Sequence, residues 1–350
     1  MIWLTWRQFR TQTLVAAALL AAAAVYLLIT GTQLRHSYSA DLITCHSSSA
    51  EYTCAGLLNG LESDYNGTLD LFELLVLAAP GLVGIFWGAP LIAGELERGT
   101  HYMTWNQSVT RTRWLAVKLT AIALASIAAA GIISLLMTWW ASPLDTMSGN
   151  RFGTQAFNAR NVVPLGYAAF AFALGVTLGL LLRRTLPAMA ATLAIFIAVQ
   201  LVVTVLVRPN VMPAIVTTVP INQTTMSQAP RFDRAREVTG PVTIDLPAPP
   251  GSWNLSQTPA LNSAGQPIQT SEILTCWNQM ISRGPVAIKG SGNAPFAPLG
   301  ACLAPLNLHV NVTYQPADRY WPLQWTETAL YAVLAALLAA FCFRRIRRLG

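Results

Sequence analysis

Six stretches of this chain run without a single Asp, Glu, Lys or Arg: Leu14–Thr30, Leu74–Ala93, Leu119–Ala141, Val163–Leu182, Leu186–Val207 and Thr328–Phe343. Each approaches the ~20 residues that an α-helix needs to cross about 30 Å of hydrocarbon. Charged residues make up only 11% of the 350, against about 25% in soluble domains, so the scarcity is general and the runs are where it concentrates. The chain is predicted to be an all-α polytopic membrane protein with six transmembrane helices. Gly81, Gly84, Gly88, Gly175 and Gly179 lie within the runs, at spacings that allow helix backbones to approach closely.

Basic residues set orientation through the short loops. With the N-terminus in the cytoplasm, the cytoplasmic pieces hold Arg7, Arg10, Arg98, Arg111, Arg113, Lys118, Arg183, Arg184, Arg344, Arg345, Arg347 and Arg348, twelve of the 22 Lys and Arg residues. Both termini are therefore expected in the cytoplasm. The net charge of +7 then follows from anchoring and from anionic membrane lipid, with no nucleic-acid partner needed. Residues 1–31 read as an interfacial helix, carrying Trp3, Trp6 and Phe9 among Arg7 and Arg10, followed by the first span. That span is expected to be retained, because LLITGTQLRH offers no small-x-small cleavage site.

The remaining boundaries follow from composition. Residues 32–73 are expected as an extracytoplasmic loop, 74–207 as helices two to five with a cytoplasmic segment at 94–113, and 324–350 as the sixth helix with a basic tail. Residues 208–323 hold sixteen of the 21 prolines and read as a small β-containing extracytoplasmic domain. Within it Leu306, Leu308, Val310, Val312 and Tyr314 alternate strictly with polar residues, as do Val242, Ile244 and Leu246, which is the strand period. Four of the five cysteines fall in extracytoplasmic segments. Bridges Cys45–Cys54 and Cys276–Cys302 are the economical pairing of the three available, and reduced thiols are the alternative.

Catalytic and metal-binding patterns fail. The four histidines form no HExxH or zinc spacing, and Cys45 beside His46 reads better as a bridged cysteine than as a nucleophile with its base. No GxxxxGK[ST] motif is present, so no ATP or other cofactor is expected on this chain. Ion-coupled carriers keep carboxylates or histidines inside the membrane; the six runs hold none, which points to an energy source on a partner.

The most informative segment is GAPLIAGELERGTHYMTWNQSVTRTRWLAVKL, Gly88 to Leu119, between the second and third helices. Its GELERGT, followed by SVTRTRWLAVKL, resembles the signature of ABC-2 type permeases of actinobacterial transporters. There an E-x-E-x-G-T element precedes a short proline-or-valine, serine-or-threonine, arginine motif and a lysine that opens the third helix. The matching positions are Glu95, Glu97, Gly99, Thr100, Val109, Thr110, Arg111 and Lys118. The sequence departs from that pattern with Ser108 where many members have Pro, and with HYMTWNQ in place of a leucine-rich surface helix.

The resemblance implies six helices in the type V exporter-like arrangement of ABC-2 permeases, with the main external domain between the fifth and sixth. It implies a multi-pass protein of a bacterial cell membrane, working as a dimer of permeases, a homodimer rather than a heterodimer, with separate ABC ATPase subunits that hold ATP and Mg. By the same resemblance Glu95, Glu97, Arg98, Gly99, Thr100, Arg111 and Arg113 would couple to the ATPase. Phe86, Trp87 and Gln200 are candidates for lining a path between the permeases, with Pro80, Pro90 and Pro187 bending the helices around it. An apolar path suits export of a drug, peptide or lipid-like cargo. Two other classes compete: a membrane-anchored ectodomain receptor, and an ion-coupled secondary transporter.

Overall fold

The computed structural model describes residues 2–47, 51–97, 110–148, 151–227, 231–233, 241–246, 248–282 and 297–348. Helix α1 spans Ile2–Ser47, and α2 (Glu51–Val83) runs through a π-helical turn at Gly84–Gly88 into α3 (Ala89–Glu97). Next come α4 (Arg111–Ser148), a short α5 (Thr154–Ala159) and α6 (Val163–Leu182). Helix α7 (Thr185–Val202) continues through a second π turn at Val203–Val207 and a 3-10 turn at Arg208–Asn210. A small domain follows: β1 (Ile215–Pro220), α8 (Gln223–Ser227), β2 (Arg231–Asp233), β3 (Thr243–Asp245), β4 (Trp253–Gln257), α9 (Thr270–Ser282), α10 (Ala297–Leu303) and β5 (His309–Gln315). The chain then enters α11 (Tyr320–Arg347).

Among the described residues six helical stretches are long and apolar enough to cross a membrane: Thr13–Cys45, Gly60–Glu97, Thr112–Met147, Val163–Leu182, Thr185–Asn210 and Ala317–Arg347. Helix α6 is the buried one, because α2, α3, α4, α7 and α11 all pack against it. The others leave leucines such as Leu14, Leu19, Leu124, Leu135, Leu186, Leu201 and Leu337 exposed, as suits helices whose outer solvent is lipid.

The predicted small-residue contact is present. Gly84 and Gly88 face Gly175 of α6, Ala89 and Ala93 face Gly179, and a Cβ built on Gly175 would overlap the carbonyl oxygen of Gly84. One on Gly179 would stand 2.6 Å from the Ala89 carbonyl oxygen. Backbone-to-backbone packing of this kind is how helices associate where no hydrophobic effect operates between them.

Both π turns end two residues before a proline, Pro90 in one case and Pro209 in the other. Proline donates no N–H and its ring crowds the carbonyl four residues back. A widened turn, in which Ala89 N–H reaches back to the Gly84 carbonyl and Arg208 N–H to that of Val203, relieves that crowding. Pro187 behaves differently from expectation. It sits in the first turn of α7, where an N–H has no intrahelical acceptor anyway, and it bends nothing.

The segment 32–73, expected as a loop, is helical on both sides of residues 48–50. Polar residues interrupt hydropathy there without interrupting the helix, since no proline occurs before Pro80. At 46 residues, α1 is about 70 Å long, more than twice the ~30 Å hydrocarbon thickness, so its far part must stand beyond the bilayer. For the same reason the expected interfacial helix is not separate: neither Gly nor Pro occurs before Gly31, and Ile2–Ser47 is continuous. Helices α1, α2 and α4 pack on one another through Leu27, Leu34, Leu61, Phe72, Met137, Trp140 and Leu144. Arg35 adds donations to the Trp139 carbonyl at 2.5 Å and to Ser142 Oγ at 2.7 Å.

In the small domain, β1, β5 and β4 form an antiparallel sheet in the order β1-β5-β4, and β2 pairs with β3. The predicted alternation holds: Val310, Val312, Val242, Ile244 and Leu246 are all buried in one core with Leu299 and Leu303. Leu306 precedes the strand and is exposed. Because β1 leaves α7 and β5 leads to α11, their pairing from Ile215↔Tyr314 to Pro220↔His309 brings both connections to the bundle side by side. Cys276 and Cys302 form a disulfide between α9 and α10. Its loop of about 26 residues should contribute about 3 kcal/mol by restricting the unfolded domain. Cys276→Ser with Cys302→Ser is expected to speed proteolysis within 208–323 and leave the helices intact, as read by mass spectrometry of the fragments.

Candidate functional site

Two polar constellations occupy opposite ends of the bundle. The first gathers at the end where α3 stops and α4 begins. Residues 98–109 lie outside the described residues, and with them Arg98, Gly99, Thr100 and Val109, as does the side chain of Arg111. Thr110 caps α4, its Oγ1 accepting from Arg113 N–H at 3.4 Å and its carbonyl from Trp114 N–H at 3.0 Å. Trp114 and Lys118, four residues apart, share one face of α4. Both are buried, and the Lys118 ammonium lies 4.7 Å from the indole centroid while donating to Glu95 of α3.

Glu97 reaches a third helix. One of its carboxylate oxygens accepts from Thr185 N–H at 3.0 Å and from Thr185 Oγ1 at 2.7 Å. Thr185 opens α7, where N–H groups lack partners and the helix dipole favours an anion. Glu95 and Glu97 thus fasten the ends of α3, α4 and α7 together. Arg113 is exposed beside them, with Arg183, Arg184, Arg344, Arg345, Arg347 and Arg348 at the same end of the bundle. The sequence marked the residues; the partners Lys118 and Thr185 could be read only from the packing.

The second constellation, at the sheet-bearing end, escaped the hydropathy reading because its charges sit just outside the six apolar runs. The helices outlast those runs and bury the charges. Arg160, in the turn between α5 and α6, donates to Glu73 of α2 and to Asp145 of α4. Burial alone would lower the pKa of this guanidinium, and the two carboxylates more than offset that, so the net direction is upward. Arg208, at the end of α7, donates Nε to Glu327 Oε2 at 2.7 Å and Nη2 to Glu327 Oε1 at 2.9 Å. It also donates to Asn158 Oδ1 and stacks 4.2 Å from the Phe157 ring. Tyr167 lies 2.6 Å from Glu327 Oε1 and 3.1 Å from Asn158 Oδ1. All of Glu73, Asn158, Arg160, Arg208 and Glu327 are 5% exposed or less.

The path-lining candidates sit apart. Phe86 is exposed and Trp87 half-buried, in a π turn whose Gly84 meets Thr192 of α7. Gln200 is two turns further along α7, about 12 Å away, half-buried with its Nε2 lacking a partner among the described residues. Of the cysteines, Cys45 is disulfide-bonded, while the side chain of Cys54, its expected partner, lies outside the described residues. Cys342 is free and buried.

No curated protein and no solved structure matches the chain. A family model described as "ABC-2 membrane transporter related" matches residues 17–208. That span runs from α1 to the end of α7 and takes in both ends of the bundle, leaving the sheet domain and α11 outside. It covers more than half of the 350 residues, and with the six membrane-length helices it makes this a multi-pass membrane subunit of a transporter that belongs to the ABC-2 membrane transporter related family.

Proposed function

We propose that the chain is the permease subunit of an ATP-driven exporter. It dimerises with a second copy of itself and is driven by a separate ABC ATPase subunit carrying ATP and Mg. The termini and the 94–113 segment face the cytoplasm, and the sheet domain faces out. The reading is supported most by the Glu95–Lys118 and Glu97–Thr185 contacts. A displacement of the chain between α3 and α4 would pull on three helices at once, which is what a docking segment for an ATPase needs. The exposed arginines at that end suit an acidic docking face. Family membership carries the ATPase partnership, and the apolar helices favour a hydrophobic or amphipathic cargo.

An ion-coupled carrier would need a carboxylate open to its ion. Glu73 and Glu327 already hold arginine partners that an ion would have to displace. In the assembled complex, Glu97→Ala is expected to keep the ATPase bound yet weaken its link to α7, lowering ATP-driven efflux of a hydrophobic dye at least ~10-fold, the factor set by about 1.4 kcal/mol of lost coupling. Wild-type efflux in this variant, with normal insertion, would refute the role given to Glu97.

A further inference from the structure

The turn that carries α5, residues 151–162, fills the sheet-bearing end of the bundle, and side chains from every neighbouring element hold it. Arg160 ties it to α2 and α4. Asn158 ties it to Arg208 of α7. Asn161, in the left-handed region at φ 60°, donates from Nδ2 to Tyr320 Oη at 2.7 Å. Its backbone N–H is taken by Thr138 at 3.1 Å, and its carbonyl accepts from Ser134 at 2.8 Å. Gln324 of α11 donates to the Phe157 carbonyl at 3.0 Å.

The short helix α5 would not hold this turn by itself. It is six residues long and its Gly153 cap offers no side chain to the first turn. Phe152, 2% exposed, stacks on Trp253 of the sheet domain with centroids 6.1 Å apart and rings within 8° of parallel, and meets Tyr320 edge-on at 5.2 Å. Trp253 is the first residue of β4, paired with Gln315 of the strand that leads into α11.

A permanent plug in a membrane protein is most simply built from apolar packing. This one is held by two buried arginines, and the Arg160 Nε has no acceptor among the described residues. Buried ion pairs are poor sources of net stability and are best attested where they fix one of several arrangements.

We infer that residues 151–162 form a gate at the sheet-bearing end of the bundle, and that the sheet domain keeps it shut through the Trp253–Phe152 stack. The role of the external domain is then to control this gate. The inference does not rest on how the transporter is driven.

A thiol at Ala159, fully buried in α5, reports the gate without ATP. In the full chain with Cys342→Ser and Ala159→Cys, a membrane-impermeant maleimide applied from the sheet-domain side should label slowly. Adding Trp253→Ala should raise the rate at least tenfold, and Trp253→Phe, which can still stack, should restore slow labelling. A thermal unfolding transition matched across the three proteins separates gate opening from general loosening. Equal labelling in all three would overturn the inference. So would fast labelling that Trp253→Phe does not reverse, since stacking would then not be the latch.

Discussion

Replacing Glu327 with alanine is expected to destabilise the protein by about 3–5 kcal/mol, because it strands a buried cation. Arg208 is 2% exposed and would keep, among the described residues, Asn158 and the face of Phe157 as partners. The free, buried thiol of Cys342 supplies the measurement: the temperature at which it becomes reactive to a fluorogenic maleimide in detergent should fall by many degrees. Removing both charges with Arg208→Met and Glu327→Leu should recover much of the loss, since burying no charge costs less than burying one alone. A Glu327→Ala protein as stable as wild type would mean that the charge is not buried as described.

The glycine seam should respond as strongly. A Cβ on Gly175 would overlap the Gly84 carbonyl oxygen and lie 2.9 Å from the Ala89 nitrogen, both backbone atoms that no rotamer change can move away. Gly175→Leu is expected to exceed the ~1–3 kcal/mol usual for overpacking and to abolish accumulation of the folded protein. Gly60→Ala and Gly67→Ala, which meet nothing within 4 Å, should match wild type or gain a few tenths of a kcal/mol from helix propensity. The measurement is the yield of monodisperse protein on size exclusion after detergent extraction.

The parts of this fold that were legible in the sequence are those set by solvent and by period. Six charge-free runs gave the six spanning helices because bilayer thickness fixes their length. The alternation at Val310–Val312 and at Val242–Leu246 gave two strands because side-chain direction in a strand has a period of two. Hydropathy fell short at helix ends. It stops at the first charged residue, whereas a helix runs on through polar residues, and α2 and α4 continue even through Pro80 and Pro143, so hydropathy reads 32–73 as a loop and places Glu73, Asp145, Arg208 and Glu327 outside the helices that carry them. A pattern in one chain can flag Glu95 and Glu97, but their partners Lys118 and Thr185 depend on how distant helices pack, and no local signal encodes that. The same holds for the stack of Phe152 on Trp253, about a hundred residues apart in sequence.

The proposal that a partner supplies the energy rests on family membership and on the pairing of Glu73 and Glu327, buried in helices that outlast the charge-free runs, with Arg160 and Arg208. Purifying the tagged full chain from the membranes of its own cell tests that case most directly. The account predicts that a P-loop ATPase subunit copurifies in equal amount and that the complex hydrolyses ATP. Purified chain that moves cargo under an ion gradient with no ATPase bound would contradict it.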